Sequence, residues 1–521
     1  MAKRSLKYNT AVLTVTGFLV KAIGFVYRVF IANSIGSEGL GLYQLVTPIY
    51  SLLVLVLSAG IQIAVSRFVA EELSKRMDHK GMRITSIAAL MTLVIGAVVC
   101  GVLILNLDTL VFTFTGDART KRSLFYMLIL LPPIAAGSAY KGYFYGRQEM
   151  LPNSAGQIIE QISKLIFVLL MYNSFKGQGL ESMCLLAVIA MLVGEYANVL
   201  TVYVIFLYSK SKKKNTVSQS KSIWQEIRKI SKTAVPISVN RLILSTIGTA
   251  ESLIIPKRLL LYGYTTQQSL MAFGRLSGMA APLVFFPSML PAALATALVP
   301  AIAGAFASKQ YSLANRQISL SIKLTLTMGL IFTTFFACSS YEIAELIYPG
   351  QSVAGILYLL SFTGVFLYLQ QTMLGILNGL SRETTILLNT LAGSVVRLVM
   401  IWFLMPIWGI DAYLYSVIAG SMIVVVLNFK EIIKITGISI DVGEWVLKPL
   451  AAALGSAALS MLLKNLPYAL NLSGKIAMMA SAGITIVVIL AVFLLAGIIN
   501  REDLMRWTGM KNNRIMSIYE F

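Results

Sequence analysis

Long apolar stretches separated by short polar segments recur along the whole chain. Two clear examples run from Ile84 to Leu105 and from Ile476 to Ile499, and neither contains a charged residue. About 20 apolar residues are enough for an α-helix to cross a bilayer. The pattern therefore predicts an all-α polytopic membrane protein.

The same pattern predicts about fourteen transmembrane helices, an even number that places both termini on one side of the membrane. The eighth span contains four prolines between Gly274 and Ile302. Proline disrupts a helix interior, so this span is expected to be a kinked helix. The predicted spans cover residues 10–35, 42–66, 84–107, 123–145, 154–172, 182–208, 231–255, 270–303, 318–337, 353–378, 384–405, 409–430, 445–464 and 474–500.

Composition agrees with the hydropathy pattern. Hydrophobic residues make up 57% of the chain and charged residues 12%, whereas about 25% of a soluble domain is charged. Cys100, Cys184 and Cys338 all lie in apolar runs, and His79 is the single histidine. A disulfide framework, a metal site and histidine-dependent catalysis are therefore disfavoured, and no cofactor is predicted.

The formal net charge of +21 is concentrated in short polar segments. Much of it lies between Tyr208 and Lys232, and more lies at the N-terminus. Cytoplasmic loops of membrane proteins are rich in Lys and Arg, which also attract anionic lipid headgroups. The distribution predicts cytoplasmic N- and C-termini and contact with bilayer lipids, and it disfavours nucleic acid as a partner. The predicted external loop with Arg119, Lys121 and Arg122 is an exception.

An internal repeat is visible when the chain is compared with itself. At an offset of 234 residues, Ala59–Lys75 aligns with Ala293–Lys309. At an offset of 233, Gly142 aligns with Gly375, Gly146 with Gly379, and Lys164 with Arg397. Agreement of glycines and intramembrane bases over about a hundred residues indicates a gene duplication.

The repeat unit holds six spans, so both halves enter the membrane in the same direction. Such halves are related by a pseudo-two-fold axis along the membrane normal, and substrate binds between them near the midplane. We expect an N-lobe at residues 1–208, a basic cytoplasmic linker at 209–230 and a C-lobe at 231–430. Residues 431–521 are expected to form two further helices and a cytoplasmic tail.

Ionisable residues within the predicted spans mark candidate site positions, because each is costly at bilayer depth. In the first span, Gly17, Lys21, Gly24 and Arg28 lie on one helix face, which predicts two cations lining a cavity. The alternative for Arg28 is snorkelling to the membrane surface. Snorkelling is also the expected role of Lys141, near a cytoplasmic end.

The remaining intramembrane charges allow two interpretations each. Glu160 and Lys164 have the i, i+4 spacing of a structural salt bridge, but they can equally line a site. Arg397, the repeat partner of Lys164, has Gly393 in the place of that acid and is the sharper candidate. Arg241, Glu195 and Glu251 can be partners between helices or cation and proton sites.

The predicted spans hold more bases than acids. Such an excess favours a cavity that selects an anion, and phosphate or pyrophosphate suits Arg and Lys. The bases are Lys21, Arg28, Lys164, Arg241, Arg275 and Arg397, and the acids are Glu160, Glu195 and Glu251.

Two stretches carry a family resemblance, "GFLVKAIGFVYRVFIANSIGSEGLGLYQLVTPIYSLL" and "GRLSGMAAPLVFFPSMLPAALATALVPAIAGAFASK". They resemble the polysaccharide-biosynthesis branch of the multidrug/oligosaccharidyl-lipid/polysaccharide (MOP) exporter superfamily. The related lipid II flippases have basic residues that Lys21 and Arg275 match, whereas Arg28 is shifted by one residue. The basic residue of their second helix has no counterpart near Thr47–Leu53.

This resemblance implies a flippase or exporter of an undecaprenyl-pyrophosphate-linked saccharide, with lipid II as the expected cargo and spore cortex synthesis as its role. It places the protein in the bacterial cell membrane, with cell-wall synthesis enzymes as candidate partners. The alternatives are a cation-coupled multidrug antiporter of the same superfamily and a non-transporting scaffold of a cell-wall synthesis complex. A membrane enzyme is disfavoured because the predicted external loops are short.

Overall fold

The computed structural model describes residues 6–75, 77–211, 222–438, 442–470 and 472–498. These residues form helices and connecting turns, with no strand among them. The longer helices are α1 (Leu6–Ser74), α2 (Asp78–Leu105), α3 (Lys121–Gly146), α4 (Leu151–Phe175), α5 (Leu180–Ser211), α6 (Ile223–Leu261), α7 (Thr266–Phe273), α8 (Met289–Ala307), α9 (Tyr311–Cys338), α10 (Ser340–Ile347), α11 (Ala354–Ser361), α12 (Thr363–Gly379), α13 (Glu383–Trp408), α14 (Ile410–Thr436), α15 (Lys448–Leu463) and α16 (Gly474–Leu495).

Helix α1 contains the first two predicted spans in one element. Its two arms meet at Gly36, whose φ of 70° and ψ of 179° are not helical. A positive φ is readily adopted only by glycine, so this residue allows the chain to turn between the arms. We call residues 6–35 the first arm and residues 37–74 the second arm.

Each predicted span falls on a helix or on consecutive helices, which confirms the all-α membrane fold. Eleven described helices are long and apolar enough to cross a membrane, or twelve when the bent pair α11 and α12 is one span. The predicted number of fourteen is therefore not reached. One reason is that α1 merges two predicted spans, and another is that α6, which carries Lys229, Lys232 and Arg241, is not among the eleven.

The chain divides into two compact units. The first contains residues up to Met279 together with Met400–Ile410, and the second contains Ala280–Val399 and the residues from Asp411 onward. The core of the first unit packs the second arm of α1 against α2, α3, α5 and the start of α6. One core of the second unit packs α8 and α9 against α12 and α14.

Both units contain the same glycine-mediated contact, which supports the duplication. A methyl group at Gly142 would lie 2.6 Å from the carbonyl oxygen of Gln62, and one at Gly375 would lie 2.5 Å from that of Ala295. Both pairs are shifted by 233 residues. The carbonyls that face Gly146 and Gly379 belong to Ser66 and Val299, at the same shift. The register is thus 233 throughout, one residue less than the offset of 234 used above for the segment from Ala59 to Lys75.

The proline-rich span is helical throughout, but its helix type varies along its length. After α7, residues Gly274–Ala280 form a π-helix, Ala281–Phe285 one α-helical turn and Phe286–Ser288 a 3₁₀ turn, and α8 then begins. The missing proline N–H groups interrupt the i→i−4 ladder, and the backbone changes helix type four times between α7 and α8.

Candidate functional site

The first arm of α1 carries the predicted cation stripe. Lys21 and Arg28 are both exposed, and neither forms an ion pair with a described carboxylate. Between them, a methyl group at Gly24 would lie 3.2 Å from Oε1 of Gln161 on α4. The stripe therefore borders α4, and the missing side chain at Gly24 allows the close approach.

A buried acid–base pair lies on α4, where the sequence predicts a salt bridge. The Lys164 ammonium lies 2.5 Å from Oε1 of Glu160, and the two side chains are only 11% and 16% exposed. Nδ2 of Asn198 on α5 donates to Oε2 of Glu160 at 2.7 Å. Gly194 leaves room for the aliphatic part of Lys164, because a methyl group there would lie 2.7 Å from its Cε. The ion pair is confirmed, and both charges are satisfied within the protein.

A second carboxylate, Glu195 on α5, lies beside this pair. The hydroxyl of Tyr50, on the second arm of α1, donates to its Oε2 at 2.5 Å. Lys141 on α3 interacts electrostatically with Glu195, Glu160 and Lys164. We call Glu160, Lys164, Glu195, Tyr50 and Lys141 the acid–base cluster.

Sequence reasoning missed two members of the acid–base cluster. Lys141 was expected to snorkel at a helix end, but it is half-buried and its partners lie on other helices. Tyr50 carries no charge, so the search for intramembrane charges did not detect it. The sequence feature that could have identified Tyr50 is a second hydroxyl one turn after that of Thr47 on an otherwise apolar helix.

The cation stripe and the acid–base cluster are neighbours. Gln161, which faces Gly24 of the stripe, also donates through Nε2 to Oε1 of Glu160 at 3.3 Å. The phenol of Tyr43 interacts electrostatically with Arg28 of the stripe and with Lys164 and Glu195 of the cluster. The structure thus brings four predicted residues together in the first unit, namely Arg28, Glu160, Lys164 and Glu195. Lys21 lies two helical turns before Arg28 on the same helix.

Arg275 lies in the π-helix that packs on the second arm of α1. A methyl group at Gly274 would overlap the carbonyl oxygen of Ser37, and Gln44 donates to the carbonyl oxygen of Ser277 at 3.2 Å. The Nε of Arg275 is buried and has no hydrogen-bond partner among the described residues. Segments of π-helix are rare and frequently occur at functional sites, so Arg275 keeps its candidacy on structural grounds.

The other three predicted residues lie elsewhere. Arg241 on α6 is exposed and forms no ion pair with a described carboxylate, whereas Glu251 on the same helix is buried and has a partner. Arg397 belongs to the second unit, where it is half-buried and its Cβ would lie 3.3 Å from a methyl group at Gly420. A helix-packing glycine beside the base of the repeat, Gly194 for Lys164 and Gly420 for Arg397, is common to both units.

The basic loop that the sequence predicts to be external, an exception to the charge pattern, is neutralised by ion pairs. Arg119 contacts Glu38 at 2.8 Å and Asp117 at 2.7 Å. Its neighbours Lys121 and Arg122 are paired with Asp108 and Glu181, respectively. Local acids therefore compensate the bases of this loop.

Two further features concern the binding of metal ions and of apolar ligands. No group of three metal-ligating side chains occurs within the part of the chain that the structure describes. The second unit contains an apolar cavity of about 510 Å³ between α9, α12 and α15, with Leu330, Phe366 and Leu454 among its lining residues.

The comparison with known families decides the identity. The family model for polysaccharide biosynthesis proteins matches residues 6–306, which is more than half of the 521 residues. The chain belongs to the polysaccharide biosynthesis protein family. In this family member, the matched region contains the cation stripe, the acid–base cluster and Arg275, whereas Arg397 lies beyond it.

Two curated relatives match most of this chain. Stage V sporulation protein B of Bacillus subtilis (strain 168) is 28% identical over 499 residues, covering 94% of this chain and 96% of that protein. Lipid II flippase MurJ of the same strain is 23% identical over 486 residues, covering 84% of this chain and 88% of that protein.

Solved structures show the same fold. The inward closed conformation of lipid II flippase MurJ has a TM-score of 0.67 at 13% identity and covers 93% of this chain and 98% of its own. An inward-facing multidrug resistance MATE family transporter of the MOP superfamily has a TM-score of 0.63 at 14% identity, with coverages of 80% and 94%. At these identities the likeness establishes the fold, and it confirms the predicted MOP superfamily architecture.

Proposed function

We propose that this polysaccharide biosynthesis protein moves an undecaprenyl-pyrophosphate-linked saccharide, a peptidoglycan precursor of the lipid II type, across the bacterial membrane by alternating access. The observation that carries this proposal is the cation stripe. Lys21 and Arg28 are exposed on one face of a membrane helix and lack a carboxylate partner among the described residues.

The cost of these cations supports an anionic substrate. A base at bilayer depth costs at least about 2.5–3.5 kcal/mol unless it faces the protein interior or a water-filled cavity. A pyrophosphate group offsets that cost through charge-assisted hydrogen bonds, and Arg and Lys suit this role. Arg275, with an unpartnered buried Nε, is the third contact that we assign to it. Lys164 is already neutralised by Glu160, so we assign it to the acid–base cluster rather than to the substrate.

The relatives support the substrate class. One of them is a lipid II flippase and another is a stage V sporulation protein. Their names favour lipid II as the cargo and a role in sporulation, and we assign that role to spore cortex synthesis. The apolar cavity of the second unit suits a hydrocarbon chain such as the isoprenoid tail.

Cation-coupled multidrug antiport is the second candidate, favoured by the buried carboxylates of the acid–base cluster. A site for cationic drugs needs an available acid, however. Glu160 is held by Lys164, Gln161 and Asn198, and Glu195, which has no ion pair among the described residues, lies beside the bases Lys141 and Lys164. The exposed charges of the first arm are positive instead. The site geometry therefore supports the anionic substrate better.

The test is translocation of fluorescent lipid II in proteoliposomes, comparing the native chain with Lys21→Ala and Arg275→Ala. Lys121→Ala is the matched control, because this exposed base is paired with Asp108 and lies outside the site. We expect a loss of at least tenfold in rate for both site variants and no change for the control. Normal rates for both site variants would overturn the assigned site. Absence of lipid II movement by the native chain would favour the antiporter or the scaffold.

A further inference from the structure

The two carboxylates of the acid–base cluster differ in how they are compensated. Glu160 accepts from the Lys164 ammonium at 2.5 Å, from Asn198 at 2.7 Å and from Gln161 at 3.3 Å. Glu195 accepts from the neutral hydroxyl of Tyr50 and forms no ion pair within the described residues. Glu160 is therefore held as an anion by a direct cation, whereas Glu195 can gain a proton without breaking an ion pair.

The surroundings of Glu195 make its protonation a change in the net charge of the cluster. The ionisable groups that face it are Tyr43 and Tyr50 on α1, Lys141 on α3, and Glu160 and Lys164 on α4. With Glu195 ionised, the two acids balance the two lysines and the cluster is neutral. With Glu195 protonated, the cluster carries one positive charge.

That added charge lies beside the cation stripe. Tyr43 interacts electrostatically with both Arg28 and Glu195, and Gln161 touches both Gly24 and Glu160. Charges separated by partly buried protein act on one another more strongly than they do in water. A protonated Glu195 therefore adds to the attraction of the stripe for an anion, and an ionised Glu195 opposes it.

From this geometry we infer that Glu195 is a proton-binding site whose protonation is coupled to the binding of the anionic substrate group at the cation stripe. Proton uptake by the carboxylate accompanies pyrophosphate binding, and the proton leaves when the anion leaves. Linkage is reciprocal, so the affinity for the anion rises as the pH falls. The coupling rests on the proposed function, since it requires an anion at the stripe.

Tyr50 is a positioning residue in this arrangement. Its hydroxyl holds the Glu195 carboxylate from the second arm of α1, while Glu195 lies on α5. A carboxylic acid is a weaker acceptor than a carboxylate, so the proton also loosens the link between these two helices. Proton uptake thus changes both the local charge and the contact between α1 and α5.

The experiment uses the full chain in detergent micelles with undecaprenyl pyrophosphate as the probe. Proton uptake on binding is measured with a pH-indicator dye in weak buffer, and affinity is measured at several pH values. For the native chain we expect measurable uptake approaching one proton per bound probe, and an affinity that rises about fivefold or more toward acidic pH, the lower end of typical coupling factors. Glu195→Gln is expected to bind the probe without proton uptake. The affinity of this variant should vary with pH only through the ionisation of the probe itself.

Matched variants identify the group that takes the proton. Tyr50→Phe keeps the carboxyl group and is expected to keep the proton uptake. The double variant Glu160→Gln with Lys164→Gln preserves net charge and should also retain it. Uptake that survives in Glu195→Gln but is lost in Lys141→Met would overturn the inference, because it would assign the proton to the amine.

The two proposals fail in different ways. Binding of the probe by the native chain without proton uptake would overturn the proton site and leave the proposed function intact. If the native chain does not bind the probe, the proposed function fails and the coupling fails with it. Infrared difference spectra provide an independent readout, since Glu195→Gln should remove a titrating carboxylic acid band that the native chain shows.

Discussion

Gly194→Ala tests whether close packing of α4 on α5 creates the acid–base cluster. A methyl group at this position would lie 2.7 Å from the backbone oxygen of Glu160 and 2.7 Å from Cε of Lys164, and it would overlap Cγ of Lys164. The lysine stem can rotate, but the backbone oxygen cannot. Either the helices move apart or the lysine leaves its carboxylate.

The expected cost follows from these contacts. Overpacking of a well-packed interior costs about 1–3 kcal/mol, and loss of a charge-assisted hydrogen bond adds to it. We expect Gly194→Ala to lower the midpoint of thermal unfolding in detergent and to reduce the proposed transport. Gly248→Ala on α6 is the matched control, because a methyl group there meets nothing within 4 Å and alanine favours a helix. Equal stability of Gly194→Ala and the native chain would refute the packing argument.

The remaining predictions concern the cluster and the topology. Asn198→Ala removes the donor to Oε2 of Glu160 and should destabilise the protein by about 1.5–3 kcal/mol, the range for hydrogen bonds to charged groups, as measured by denaturant unfolding. An unchanged unfolding free energy would contradict the role of this bond. In a background without native cysteines, Lys121→Cys should react with a membrane-impermeant maleimide in intact cells, whereas Lys75→Cys should react only after permeabilisation. The two positions are similarly exposed, at 48% and 50%, so the reverse result would invert the predicted cytoplasmic side. The three native cysteines are buried and should react with a maleimide slowly until the chain is unfolded.

Local spacing predicted the arrangements that lie within one helix. The stripe of Lys21, Gly24 and Arg28 follows from helical periodicity, and the Glu160–Lys164 pair follows from i, i+4 spacing. Both depend on residues within one helix, where sequence separation determines distance. The structure confirms the pair and leaves the two cations of the stripe without a described carboxylate partner.

Contacts between helices could not be predicted from local residue spacing. Tyr50 and Glu195 are 145 residues apart in the chain, and no local pattern connects them. Lys141 was predicted to snorkel because it lies near a helix end. In the structure it interacts instead with acids on α4 and α5. The junction of the first two spans was not obtained from local spacing either, since the two arms of α1 meet directly at Gly36, where the backbone is not helical.

The amino-acid sequence is sufficient to predict the membrane class, the positions of the helices and the repeat. These properties depend on the length of apolar runs, on helical periodicity and on glycines that recur at a constant offset. Which charges are compensated follows from the fold, because compensation requires an acceptor or a donor within hydrogen-bond distance, and such a group can belong to another helix. The fold divided the predicted bases into a neutralised one, Lys164, and exposed ones, Lys21 and Arg28, although all three are equally costly when a membrane span is considered alone.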